Sequence, residues 1–151
     1  MQIMVRMGSY SDLCGSLSGK SVAIWTCDTC ARLCNGIGGM ESAERLSERL
    51  GRDGINVTGI LHTSASCVLK KVQEKNDPDI MKDTDLILSL TCETGAHCAR
   101  QAFEKDVLNP IRTIGVGYIG KERVVYLKSD DGFVPVSDLK LDEDAGFDPF
   151  V

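Results

Sequence analysis

With 151 residues, 42% hydrophobic and 26% charged, the chain has the size and make-up of one globular domain able to bury a core. No apolar run approaches the ~20 residues a bilayer span needs. The start MQIMVRMGSYSDLCG has neither the apolar core nor the cleavage pattern of a signal peptide, so no membrane and a cytoplasmic location are expected. The net charge of −5, with basic residues dispersed among acidic ones, argues against nucleic acid and favours protein partners.

Four near-continuous apolar and β-branched runs, SVAIWTC (21–27), INVTGILHT (55–63), DLILSLTC (85–92) and IRTIGVGYIG (111–120), read as central strands covered on both faces. Between the first two, GGMESAERLSERLGRDG sets Met40, Ala43, Leu46 and Leu50 on one side of a surface helix, and Gly51 and Gly54 stop it. From 66 to 82 the pattern predicts a short helix around CVLKKVQEK, then a turn or a new helix start at NDPD. TGAHCARQAFEKDVL spaces Ala96, Ala99, Ala102, Phe103 and Val107 nearly helically, and Asn109-Pro110 closes this second crossover helix. Beyond 120, ERVVYLKSDDGFVPVSDL alternates about Asp131-Gly132, a hairpin signal that adds an antiparallel edge. The end, KLDEDAGFDPFV, reads as an acidic tail that is either loose or docked on another subunit. Strands alternating with helices predict an α/β fold: one open Rossmann-like (flavodoxin-like), mostly parallel sheet with a C-terminal β-hairpin and tail. Residues 1–151 form a single domain, its core at about 20–120 and the hairpin and tail at 121–151.

Seven cysteines, an odd number without a signal peptide, point to metal ligands or redox thiols in a reducing compartment rather than to a disulfide framework. A single cysteine is often just a small apolar core residue, which is the reading for Cys14. Cys27, Cys30 and Cys34 instead cluster in the polar, Gly-rich stretch TCDTCARLCNGIGG, which core packing does not require. Ligands of open α/β sheets collect at the carboxyl ends of strands. Cys27 closes the first strand with Cys30 and Cys34 after it, Cys67 lies past the second strand, and Cys92 ends the third.

Four thiolates hold an iron–sulfur cluster, whose charge calls for nearby backbone N–H groups. Gly36, Gly38 and Gly39 would let the backbone approach the sulfurs, and the helix from Met40 would present its positive end to them. A tight strand-to-helix turn is the competing account of these glycines. Zinc is the competing metal, although here the remaining cysteines arrive singly rather than as a second close pair. His62 and His97 stay outside the ligand set as hydrogen-bonded structural residues.

Taken in order, CDTCARLC with its following Gly-Gly, a later single cysteine and ILSLTCETG resemble the MetV family, the small iron–sulfur subunit of methylenetetrahydrofolate reductase in acetogens and other anaerobes. The resemblance covers about residues 20–120. It places Cys27, Cys30, Cys34, Gly38, Gly39, Cys67, and Cys92 with Gly95, on the family's motifs. The chain departs from the family in having no cysteine after residue 98, where longer members carry a further cysteine-rich segment, and in Glu93, where the family has glycine. Cys98 is an extra thiol, open between replacing a ligand and packing.

The resemblance implies one 4Fe–4S cluster in a subunit that carries electrons and has no catalytic residues of its own. Its partner would be a flavoprotein subunit of the methylenetetrahydrofolate reductase type or a larger redox complex. Five cysteines match where a cubane takes four. Cys30, Cys34, Cys67 and Cys92 are the first choice, since the Cys27 side chain at a strand end is expected in the sheet packing. No Walker loop, dinucleotide fingerprint or Ser-His-Asp set is visible. The alternative function is a zinc-stapled structural or assembly module that docks on a larger enzyme. A third is an enzyme using a spare thiolate, Cys27 or Cys98, beside the metal.

Overall fold

The computed structural model describes residues 1–150. In chain order its elements are β1 (Gln2–Met7), α1 (Tyr10–Leu17), β2 (Ser21–Cys27), α2 (Cys30–Leu33), α3 (Met40–Arg52), β3 (Asn56–Thr63), α4 (Leu69–Gln73), α5 (Pro78–Met81), β4 (Leu86–Leu90), α6 (Glu93–Phe103), β5 (Asp106–Leu108), β6 (Ile111–Ile119), β7 (Val125–Ser129), β8 (Gly132–Pro135) and β9 (Ala145–Gly146).

Strand β2 is the axis, buried from Val22 to Cys27 and paired in parallel with β3 on one side and β4 on the other. With β5 added to β4 the order is β3-β2-β4-β5, the flavodoxin-like order, whose direction of winding reverses between β2 and β4. The fold is therefore α/β, and alternation along each strand feeds two cores. On one face Val22, Ile24, Leu86, Leu88 and Leu90 pack with Leu13 and Leu17 of α1, Ala43, Leu46 and Leu50 of α3, and Ile3 and Met4 of β1. On the other, Ala23, Trp25 and Ile87 meet Val72, Met81, Cys98, Ala99 and Phe103, with the Trp25 and Phe103 rings edge-on at 5.2 Å.

Helix α3 follows from its spacing, since Ala43, Leu46 and Leu50 form one buried stripe. It opens where Gly39 takes φ 91° and the Met40 N–H donates to Asp28 Oδ1 at 2.9 Å. The 66–82 segment resolves into two short helices. The second is opened by Asp77, whose carboxylate accepts from the Asp79 and Ile80 N–H groups, with Pro78 in the first turn.

Several elements differ from the sequence expectation. The 55–63 run was expected as a central strand, but β3 is an edge of the parallel sheet and correspondingly half-exposed. Helix α6 stops at Phe103 because Glu104 turns left-handed at φ 52°, and Asp106–Leu108 becomes a strand. The 111–120 run is a strand, but it leaves the parallel sheet and pairs antiparallel with β1 and β7 in a second sheet of order β8-β7-β6-β1-β9. A β-branched run signals extended backbone without naming its partner. Gly117 suits the second sheet, since a Cβ there would strike the Tyr126 carbonyl and Ile3.

The hairpin forms at Asp130-Asp131, with Ser129 opposite Gly132. The described part of the tail packs on its own chain: Ala145–Gly146 pairs with Arg6 and Met7, and Phe150 is buried with the Arg6 guanidinium 5.6 Å from its ring centre. Packing thus extends past 20–120 at both ends, through Ile3, Met4 and Val5 and through Val125, Val136 and Phe150. Among the described residues no helix is long and apolar enough to cross a membrane.

Candidate metal centre

Cys27 is the last residue of β2 and Cys30 the first of α2, whereas Cys67 lies in the loop between β3 and α4 and Cys92 caps α6. All four line one cavity of about 270 Å³, joined there by Gln2 of β1, Ser66 and Thr94. It lies beyond the carboxyl ends of β2 and β4, where the winding of the sheet reverses and ligands of such folds bind.

Four contacts draw these loops together. The Thr29 hydroxyl donates to the Ser64 carbonyl at 2.5 Å, tying the loop after β2 to the loop after β3. The Thr26 hydroxyl donates to the Leu90 carbonyl at 3.1 Å and accepts from the Gly39 N–H at 2.7 Å, tying β2 to β4 and to the glycine turn. Gly95 has no room for a side chain, because a Cβ would collide with the Ser66 and Thr91 hydroxyls. That close approach presses the Cys67 loop against the start of α6, where Cys92 sits.

Burial pushes the Cys92 thiol above its ordinary pKa. The Gly95 N–H pulls it back, the neighbouring Cys30 and Cys27 sulfurs push it up further, and the Thr94 N–H lowers it. Cys92 is thus within electrostatic reach of two other cavity thiols and beside two N–H donors. Its raised pKa keeps the Cys92 thiol protonated until a cation replaces the proton, since a metal-bound thiol is deprotonated outright.

Cys34 stands apart. It is fully buried at the end of α2, its Sγ donates to the Met4 carbonyl at 3.4 Å, and burial raises its pKa. It lies within electrostatic reach of Cys30, which also raises its thiol, but its Sγ is turned to β1 and it does not line the cavity. Cys27, expected in the sheet packing, is buried and also lines the cavity. Cys98 packs in the opposite core beside Trp25, its thiol raised first by burial and then by Cys67. Cys14 is half-buried on α1 beside Tyr10, whose hydroxyl donates to Asp53 at 2.6 Å.

The glycines serve the turn. Gly36 and Gly38 line a different cavity, of about 370 Å³, with Arg32, Glu41 and Arg123, and none of Gly36, Gly38 and Gly39 lines the cysteine cavity. A Cβ on Gly38 would strike the Leu90 carbonyl, Ala31 and Thr26, while Gly36 and Gly39 take φ 68° and 91°. The first N–H of α3 is occupied by Asp28, whose other oxygen lies 2.5 Å from His62 Nδ1. Neither His62 nor His97 lines the cysteine cavity. Gln2, Ser66 and Thr94 do, without any signal in the sequence that marks them.

As the side chains stand, no three His, Cys, Asp or Glu among the described residues surround a single ion position. A zinc site needs its sulfurs at about 2.3 Å from one point. A cluster spreads its thiolates over several irons, and the four cysteines around the cavity match its ligands in donor type and number. No protein-family model, curated protein or solved structure matches the chain.

Proposed function

We propose that the chain is an iron–sulfur electron-transfer subunit in which Cys27, Cys30, Cys67 and Cys92 hold one 4Fe–4S cluster. The observation that carries this reading is the convergence of four cysteines from three separate loops on one cavity at the winding reversal. Core cysteines have no reason to gather at the same end of successive strands. A bound cluster would supply one-electron chemistry over a wide range of potentials.

The chain's own part is to hold the four sulfurs, to turn the Gly95 and Thr94 N–H groups toward Cys92, and to keep Cys27 and Cys92 away from bulk water. Hydrogen bonds and burial of that kind tune a metal site. The reading extends, through the resemblance over residues 20–120, to an accessory subunit in the cytoplasm. Its partner would be a flavoprotein of the methylenetetrahydrofolate reductase type or a related anaerobic redox complex.

The test is made on protein purified without oxygen: iron, zinc and acid-labile sulfide per chain, with electron paramagnetic resonance before and after dithionite. Iron and sulfide near ~4 each with a reducible signal are expected. Zinc without sulfide would overturn the reading and leave a stapled docking module.

A further inference from the structure

We propose that an acidic face of a partner redox protein docks on the segment Cys67–Lys71 together with Lys75, over the mouth of the cysteine cavity. This rests on the electron-transfer reading above. Of the seven cysteines only Cys67 is exposed; Cys27 and Cys92 are buried and Cys30 is intermediate. Cys67 is therefore the cavity thiol most open to solvent, and a partner seated beside it lies next to the cavity.

The surface at that point is built for contact. Residues 67 to 71 are all exposed, with Val68 at 43% and Leu69 at 39%, so two large apolar side chains adjoin the exposed cysteine. Lys70 and Lys71 follow at once and Lys75 comes one turn later, all exposed. Among the described residues none of the three lysines forms an ion pair.

Lys71 and Lys75 line a cavity of about 400 Å³ that shares Ser64 with the cysteine cavity, so the two adjoin. Two carboxylates also line that cleft, Asp28 and Glu74. That cleft is balanced in charge, two lysines against two carboxylates, whereas the segment 67–75 carries three lysines against one carboxylate, Glu74. In a chain of net charge −5 this is a local reversal of sign. Apolar contact beside a charged rim is the anatomy of a transient interface, and the rim charge selects an acidic partner and speeds its encounter.

Binding is measured by titration calorimetry with two small probe proteins, an acidic ferredoxin and a basic cytochrome c, at low salt and at about 0.2 M salt. The chain is wild type or K70E/K71E/K75E, with K70Q/K71Q/K75Q as the milder variant should the reversal disturb folding. The acidic probe is expected to bind wild type at low salt, and to bind about tenfold or more weakly in high salt and in the glutamate variant. Equal affinity in wild type and variants, preference for the basic probe, or no binding of the acidic probe would overturn the proposal. Calorimetry reads docking whatever metal the chain carries, whereas iron and sulfide content judges the cluster, so failure of the one is told apart from failure of the other.

Discussion

Cys34→Ala separates the two ways in which a cysteine can be needed. The side chain is fully buried in the core beneath β1, and its thiol donates one weak hydrogen bond to the Met4 carbonyl. Losing a sulfur is comparable to losing a buried methylene, about 0.8 kcal/mol, and the small void and the lost hydrogen bond bring the cost to roughly 1–2 kcal/mol. For a domain of this size that lowers the melting temperature by about 2–8 °C, while iron and sulfide per chain stay at the wild-type level. Cys67→Ala is its counterpart: at an exposed position the packing cost lies within about 0.5 kcal/mol, yet the proposed ligand set predicts loss of iron and sulfide. The assay pairs thermal unfolding with metal and sulfide content for alanine variants at Cys27, Cys30, Cys34, Cys67 and Cys92. A Cys34→Ala protein without iron beside a fully loaded Cys27→Ala protein would refute the assignment made from cavity geometry and restore the set Cys30, Cys34, Cys67 and Cys92.

Gly38→Ala forces a methyl against the Leu90 carbonyl, Ala31 and Thr26, and denaturant titration should show about 1–3 kcal/mol of lost stability. Asp28→Ala frees the Met40 N–H at the start of α3 and unpairs His62, costing roughly 0.5–2 kcal/mol in the same assay, with Asp28→Asn recovering part of it. The Asp148 carboxylate is held below its ordinary value of 3.8, chiefly by its hydrogen bond from Arg6. A depressed carboxylate stabilises the fold above its unfolded pKa and loses that contribution as the pH falls through the folded value. Protease cleavage of the tail should therefore quicken only below about pH 4, and Asp148→Asn should show the fast cleavage already at neutral pH.

Elements whose sequence carries a period were legible. The stripe Ala43, Leu46, Leu50 and the buried run Val22 to Trp25 gave α3 and β2 within a residue or two. Periodicity does not report partners. The 111–120 run reads as well for a parallel core as for an antiparallel sheet, and only β1 and β7 lying beside it decide the matter. Asp106–Leu108 is too short for any period to declare, and the helical spacing before it carried the reading past its end. At the site, the placement of Cys27, Cys67 and Cys92 at strand ends was legible because topology sends those loops to one side. The direction of the Cys34 thiol was not, since it depends on β1, whose carbonyl receives it. The glycines illustrate the same limit: positive φ was foreseeable, but which wall each would face was not.

Strand β1 also sets an order of events. The whole parallel sheet and the four cavity cysteines lie between residues 21 and 108, a stretch whose strands can pair as soon as it leaves the ribosome. Strand β1, made before them, has no strand partners until β6 and then β9 emerge, more than a hundred residues later. Its Gln2 forms part of the cavity wall, and its Met4 carbonyl holds Cys34. The Gln2 wall of the pocket is accordingly set in place only after β6 and β9 have been made, later than the loops that bring the four cysteines together.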